Sequence, residues 1–322
     1  MQRKTKILIS ECSGFSVAAI RQLESVGEVT LADLNRDGLL SAVRHADVLW
    51  VRLRNYIDAQ VLDAAPRLRV IVTPTTGLTH IDLDEAKRRS ILVLSLRGET
   101  DFLKGMRATA EHTIGLMLCL LRHIPAAVWH VNAGRWERDL FKGHDMFEKK
   151  VGIVGYGRLG RLVSRYLLAL DVQVFASGPQ IESNSVEPGV IVVPVMELLR
   201  DADLVTLHIN LTDENHRCFG AREFAQMKQG AWFLNTSRGE LVDEQALLQN
   251  LISGKLAGAA LDVLSGEYSP NLALHPLIAY ARTHDNLLIT PHIGGCTAES
   301  MERAENFLAE RLSKLMCEPR VA

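Results

Sequence analysis

Apolar residues along this 322-residue chain fall into short, continuous, β-branched runs, separated by segments whose apolar positions recur at helical spacing. Before residue 96 the runs Lys6–Ser10, Glu28–Ala32, Asp47–Arg52, Leu68–Thr73 and Ile91–Ser95 read as strands. Phe15–Val26 and Leu83–Arg89 read as helices between them. Runs that are continuous rather than alternating imply strands covered on both faces, which points to parallel sheets in an α/β layer fold.

After Ser95 the pattern changes. Arg97–Arg107 is polar and contains glycine, and it leads into a long apolar helix, Ala108–His123, with Pro125 close behind. A loop around Gly134–Gly143 then opens a second strand–helix series. Its strands are Lys150–Val154, Val172–Ala176, Val190–Val193, Asp203–His208, Ala231–Asn235, Gly258–Asp262 and Asn286–Thr290. The last helix, Ala298–Cys317, is amphipathic and too short to be a domain, so it must pack on something built earlier. The expected fold is α/β, with two doubly wound parallel sheets.

Charge narrows the class. Lys plus Arg number 36 against 38 Asp plus Glu, a net −2, so the electrostatic footprint of a nucleic-acid binder is missing. The N-terminus has no apolar signal segment, and the most apolar stretch, Ile114–Leu121, is far too short to span a bilayer. The five cysteines are scattered without a CxxC pair, which points to a reducing compartment and no zinc or other metal site. The expectation is a soluble, cytoplasmic protein with neither nucleic-acid nor membrane partners.

Candidate chemistry begins at Val151-Gly-Ile-Val-Gly155-Tyr-Gly157-Arg-Leu-Gly160, a G-x-G-x-x-G sequence directly after an apolar strand and before a helix, Arg161–Leu170. In that context Gly155 permits the tight turn and Gly157 lets backbone approach a pyrophosphate. Gly160 lets the helix lie close on the strand, and the positive helix end holds the phosphates. The acid expected about twenty residues on, at the adenine ribose, is missing. The second strand ends Phe175-Ala-Ser177-Gly178-Pro179, with Glu182 the nearest carboxylate and no arginine close by. A dinucleotide is expected, NAD or NADP, with the preference left open.

Three more segments end strands. They are Asn235-Thr-Ser-Arg238-Gly239-Glu-Leu-Val-Asp243-Glu244, Leu261-Asp262-Val-Leu-Ser-Gly-Glu267 and Thr290-Pro-His292-Ile-Gly-Gly295. Ligands of open α/β sheets sit at the carboxyl ends of strands, so the three can converge. An arginine offers a planar fork to a carboxylate, a histidine passes protons near neutral pH, and a glutamate can orient the imidazole. Taken singly, Arg238 reads as a surface ion pair, Glu267 as a solvated loop acid and His292 as a turn cap.

In their order and spacing these motifs resemble the D-isomer-specific 2-hydroxyacid dehydrogenases, the family containing phosphoglycerate dehydrogenase and the glyoxylate/hydroxypyruvate reductases. The resemblance runs from about Asp47 to Ser300. It implies an oxidoreductase moving hydride between NAD(P) and a 2-keto acid or (R)-2-hydroxy acid, with Arg238 on the substrate carboxylate. His292 is then the general acid/base and Glu267 its partner. It also implies a Rossmann dinucleotide domain, 104–297, inserted in a flavodoxin-like substrate domain, 1–103 completed by 298–322. The active site would lie in the cleft, and the chain would form a homodimer.

Cofactor contacts are implied for Thr76, Gly155, Tyr156, Gly157, Arg158, Leu159, Gly160, Ser177, Gly178, His208, Ile209, Asn210, Thr236, Ser237 and Gly295. Asp262 is expected near the nicotinamide carboxamide. Substrate contacts are implied for Thr76, Gly77 and Leu78, whose loop offers N–H groups, and for Arg238. Arg52 and Arg54 either hold a second anionic group or form a solvent-exposed rim. Two departures stand out. Ser95–Arg107 is longer and more charged than the family's Pro-Gly-x-Asn link, and Asn210 replaces a common proline. Two other readings are a phosphoglycerate dehydrogenase without a regulatory domain, since only Glu318–Ala322 follow the last helix, and a dinucleotide-sensing corepressor that acts by recruiting partners.

Overall fold

The structure is a computed structural model that describes residues 3–179, 181, 186–269 and 271–317. Glu182, the nearest acid to the second strand of the glycine turn, lies outside the described residues. The chain divides into two compact units, Met1–Met106 with Cys296–Ala322, and Arg107–Gly295.

The first unit alternates β1 (Thr5–Ile9), α1 (Val17–Glu24), β2 (Gly27–Leu31), α2 (Arg36–Ala42), β3 (Val48–Trp50), α3 (Ala59–Asp63), β4 (Val70–Thr73), α4 (Leu83–Arg88), β5 (Leu92–Ser95) and α5 (Thr100–Leu103). Its sheet is parallel, in the flavodoxin-like order β2-β1-β3-β4-β5. The central strands β3 and β4 are buried at every residue, which is why their sequences run apolar without alternation.

The second unit begins with α6 (Ala108–Leu121) and α7 (Ile124–Asn132). It continues through β6 (Lys150–Val154), α8 (Arg158–Leu168), β7 (Gln173–Ser177), β8 (Val190–Val192), α9 (Val195–Asp201), β9 (Leu204–Leu207), α10 (Ala221–Gln226), β10 (Ala231–Asn235), α11 (Glu244–Ile252), β11 (Leu256–Leu261), α12 (Pro276–Ala281) and β12 (Leu287–Ile289). The seven strands are parallel, ordered β12-β11-β10-β9-β6-β7-β8. The order reverses at β6, so the carboxyl ends of β6 and β9 flank the switch point where such sheets bind ligands.

The orphan helix α13 (Ala298–Cys317) returns to the first unit. Its Ala304, Leu308, Ala309 and Leu312 share one core cluster with Ala19 and Leu23 of α1, Trp50 and Leu103. Phe307 stacks on Phe102 at 4.2 Å between ring centroids. The charged link after β5 is therefore not a plain loop: it contains α5, whose Leu103 plugs into this core. Among the described residues, no single helix is long and apolar enough to cross a membrane.

Candidate active site and dinucleotide turn

β6 ends at Val154, and the chain turns at Gly155 with φ +99. A Cβ at Gly155 would stand 2.5 Å from the His208 carbonyl oxygen, and one at Gly160 would stand 2.3 Å from the Gly155 carbonyl oxygen. Fold geometry alone therefore demands glycine at both. Gly157 differs. It caps α8, and a Cβ there would meet nothing within 4 Å. Open space lies in front of the first free N–H groups of an eleven-residue helix, which is the cradle a pyrophosphate needs.

The flanking candidates fall into two groups. Arg158 and Leu159 are half-buried at the start of α8, whereas the Tyr156 ring points inward. The Tyr156 phenol lies 3.2 Å from Ser164 Oγ and accepts the Glu187 N–H, so only the Tyr156 backbone faces the turn. Ser177 is buried, and its carbonyl accepts the Gly155 N–H at 2.8 Å, which seats the turn on β7. Gly178 follows with neither carboxylate nor cation.

Beyond β9, His208 holds Thr206 Oγ1 at 3.1 Å through Nε2, and burial pushes its imidazole down to about 4. Ile209 packs on the core, while Asn210 is exposed and its carbonyl accepts from Asn215. Thr236 is buried against Thr113, and the Ser237 hydroxyl donates to the Leu207 carbonyl. Gly295 is exposed.

Arg238, Glu267 and His292 follow the carboxyl ends of β10, β11 and β12, three neighbours in the sheet. His292 Nδ1 lies 2.8 Å from Glu267 Oε1. That contact commits one ring nitrogen and leaves Nε2 on the far edge. Arg238 is half-buried, with Nη1 donating to the Ser237 carbonyl at 2.6 Å. Its strand end is stiffened by the buried Asn235, whose amide donates to the Arg238 carbonyl and whose oxygen accepts the Ser237 N–H. Tyr268, next to Glu267, has its phenol pushed up by burial and by the Glu267 charge, an effect Arg238 opposes.

His292 itself has φ +53, a left-handed conformation that costs a non-glycine residue energy. Asp262 staples it there. The Asp262 carbonyl accepts the His292 N–H, and its carboxylate accepts the Ile293 and Gly294 N–H groups and the Thr290 hydroxyl. His112 on α6 completes the cluster, with Nε2 3.2 Å from Asp262 Oδ1 and 3.1 Å from Thr290 Oγ1. Burial opposes ionisation of Asp262, but these bonds, His112 first, outweigh it and hold the carboxyl below the usual range. Asp262 thus shapes the His292 turn, with its carboxylate fully committed.

In the first unit, Glu11 is buried and accepts the backbone N–H groups of Arg52 and Arg54, fixing the loop after β3. The Arg52 guanidinium is spent within the unit. It donates to the Ser13 carbonyl, pairs with Glu305 of α13 and lies over the Phe15 ring. Glu305 is fully buried, and its second oxygen accepts the Ser16 N–H. Arg54 is more open and touches Asp33 at 3.4 Å. In the loop after β4, Thr76 is exposed, Gly77 half-buried and Leu78 buried. Thr75 Oγ1 donates to the Gly77 carbonyl, and Thr73, Thr75 and His80 form a hydrogen-bonded chain beneath them.

Sequence reasoning missed His112 and His275, and gave no role to Glu244 and Thr290, although both stand in the strand-end motifs. His112 was hidden inside the predicted Ala108–His123 helix, a polar residue in a largely apolar run.

A glycine turn at the switch point of a seven-stranded parallel sheet defines a dinucleotide-binding α/β protein. Comparison with known proteins agrees. The model of the D-isomer specific 2-hydroxyacid dehydrogenase NAD binding domain matches residues 114–294. The chain is 32% identical over 287 residues to hydroxypyruvate reductase of Thermotoga maritima, covering 89% of this chain and 90% of that protein. It is 35% identical over 304 residues to D-3-phosphoglycerate dehydrogenase of Methanocaldococcus jannaschii, covering 92% of this chain and 55% of that one. This chain thus spans about half the length of the phosphoglycerate dehydrogenases it matches. The crystal structure of D-lactate dehydrogenase from Aquifex aeolicus, in complex with NAD and lactic acid, superposes with a TM-score of 0.80 at 25% identity, over 97% of this chain and 95% of that one. The chain belongs to the D-isomer-specific 2-hydroxyacid dehydrogenase family, and its cofactor is a nicotinamide dinucleotide.

Proposed function

We propose that the chain is an NAD(P)-dependent D-2-hydroxyacid dehydrogenase that interconverts a 2-keto acid and its (R)-2-hydroxy acid. The observation that carries this reading is the 2.8 Å His292–Glu267 contact, with Arg238 on the adjoining strand end. Gly155, Gly157, Gly160 and the N-terminus of α8 hold the pyrophosphate, and a bound nicotinamide supplies the hydride. Arg238 takes the substrate carboxylate in its planar fork and polarises the keto group. His292, turned by Glu267, presents Nε2 to the keto oxygen and delivers the proton there. Within the first unit, the backbone N–H groups of Thr76, Gly77 and Leu78 and the Arg54 side chain are the groups suited to a carboxylate and to a second anionic group.

Neither NAD nor NADP is selected at the end of β7. Ser177, Gly178 and Pro179 offer no carboxylate to hold a ribose or reject a 2′-phosphate, and no cation to attract one.

The chain acts as a homodimer. Residues 124–147 expose Val128, Trp129, Val131, Trp136, Leu140 and Phe147, with Trp129 at 77% and Trp136 at 85%, an apolar face of the kind covered by a second copy.

Following reduced-nicotinamide absorbance across a panel of 2-keto acids tests the activity. Turnover with at least one short 2-keto acid is expected. Silence across the panel, with tight NADH binding retained, would replace the enzyme by a dinucleotide-sensing protein.

A further inference from the structure

The loop carrying Glu267 is tied within itself at Ser269, whose N–H donates to the Gly266 carbonyl at 2.8 Å, and by a hydrogen bond between Tyr268 and Glu267; its approach from β11 is tied elsewhere. It leaves β11 at Leu261 and passes close to Gly239, where a Cβ would stand 2.0 Å from the Leu264 carbonyl carbon. The next fixed point is Ser265, whose N–H donates to Glu244 Oε1 at 2.8 Å. The other oxygen of Glu244, Oε2, lies 3.0 Å from His275 Nε2. His275 Nδ1 accepts the Leu277 N–H at 3.3 Å, so the proton resides on Nε2 and is donated to Glu244.

Both side chains are largely buried, at 15% and 16% exposure. Besides His275, the charged group facing Glu244 is Glu240, a like charge. A carboxylate in this place costs desolvation and repulsion, yet both its oxygens are met by directed donors. A single residue, Gly266, separates Ser265 from Glu267, whose Oε1 sets the His292 ring.

We propose that Glu244, braced by His275, is a positioning residue that fixes the Glu267–His292 geometry by holding the Ser265 N–H. This rests on the catalytic reading of Glu267 and His292 given above. Glu244 acts through Glu267 and touches no reacting atom. A shift of about 1 Å at a supported catalytic group is worth about a hundredfold in rate, so a loop freed by the loss of Glu244 shows first in kcat.

The test is steady-state kinetics and NADH titration of Glu244→Ala, Glu244→Gln, Glu267→Gln and the double variant Glu244→Ala/Glu267→Gln. Glu244→Ala is expected to lose about tenfold or more in kcat, with NADH affinity and KM unchanged. Glu244→Gln keeps an oxygen for the Ser265 N–H and recovers most of the loss. The double variant turns over no more slowly than Glu267→Gln alone, because the brace has nothing left to hold. If Glu244→Ala does not fold, His275→Ala replaces it in the same cycle. Multiplying losses in the double variant, or a change confined to KM, overturns the brace alone. Full kcat in Glu267→Gln overturns the catalytic reading and the brace with it.

Discussion

Gly157→Ser separates the fold's need for glycine from the ligand's. At Gly157 the backbone is extended, φ −83 and ψ −155, a conformation open to any L residue, and a Cβ meets nothing within 4 Å. The position caps α8, where serine ranks above glycine by a few tenths of a kcal/mol. Replacing glycine also removes unfolded-state freedom, so stability changes by zero to about +1 kcal/mol. The same side chain occupies the space the phosphates need at the helix end, a contact worth about 1–2 kcal/mol, so NADH affinity falls about tenfold or more. Gly160→Ser is the control. Its Cβ would stand 2.3 Å from a backbone oxygen, and such overpacking costs about 1–3 kcal/mol. At about 2–4 °C per kcal/mol the Tm of Gly160→Ser drops measurably, while that of Gly157→Ser does not. Calorimetry and NADH fluorescence titration read the two effects separately. Parental NADH affinity in Gly157→Ser, or a Tm loss matching that of Gly160→Ser, would refute the phosphate-cradle assignment.

Arg52→Ala strands the buried Glu305 carboxylate and is expected to cost about 3–5 kcal/mol in urea unfolding. Arg54→Ala leaves stability intact and raises KM only for doubly anionic keto acids; equal unfolding midpoints for the two variants would contradict this division. His208 has its folded-state value pushed to about 4 from 6.5, so acid protonates the unfolded chain first. Its share of stability, at most about 3 kcal/mol, is present above 6.5 and lost as pH falls toward 4. Urea midpoints of parent and His208→Asn at both pH values check this, and an unchanged pH dependence in the variant rejects it. Light scattering at micromolar concentration should give twice the chain's 35.7 kDa, and a monomer mass would remove the role given to the 124–147 face.

The strands were legible because buried parallel strands write themselves as continuous apolar runs; β6 and β10 have the bounds their sequence predicts. Helix boundaries were less so. Pro125 reads as the end of the long helix, yet it occupies the first turn of α7, where its missing N–H costs nothing. α6 stops at Leu121, and His123 makes the corner at φ +51. The link after β5 is too short and too charged to show periodicity, so α5 was invisible. Arg238, Glu267 and His292 were readable because each ends a strand within a spaced motif. Their supports were not, since His112 meets Thr290 across 178 positions and Arg52 meets Glu305 across 253, separations that no local pattern records. Arg52 shows the consequence: the sequence displays a charge beside a loop, while folding spends it on a buried partner.

The central claim is that His292 moves the proton while Arg238 holds the carboxylate, and single-turnover kinetics of His292→Ala test it most directly. Enzyme preloaded with NADH is mixed with a 2-keto acid that the parent reduces. The account predicts that the variant binds NADH as tightly as the parent and loses about a hundredfold or more in the rate of nicotinamide oxidation. An unchanged single-turnover rate would contradict it.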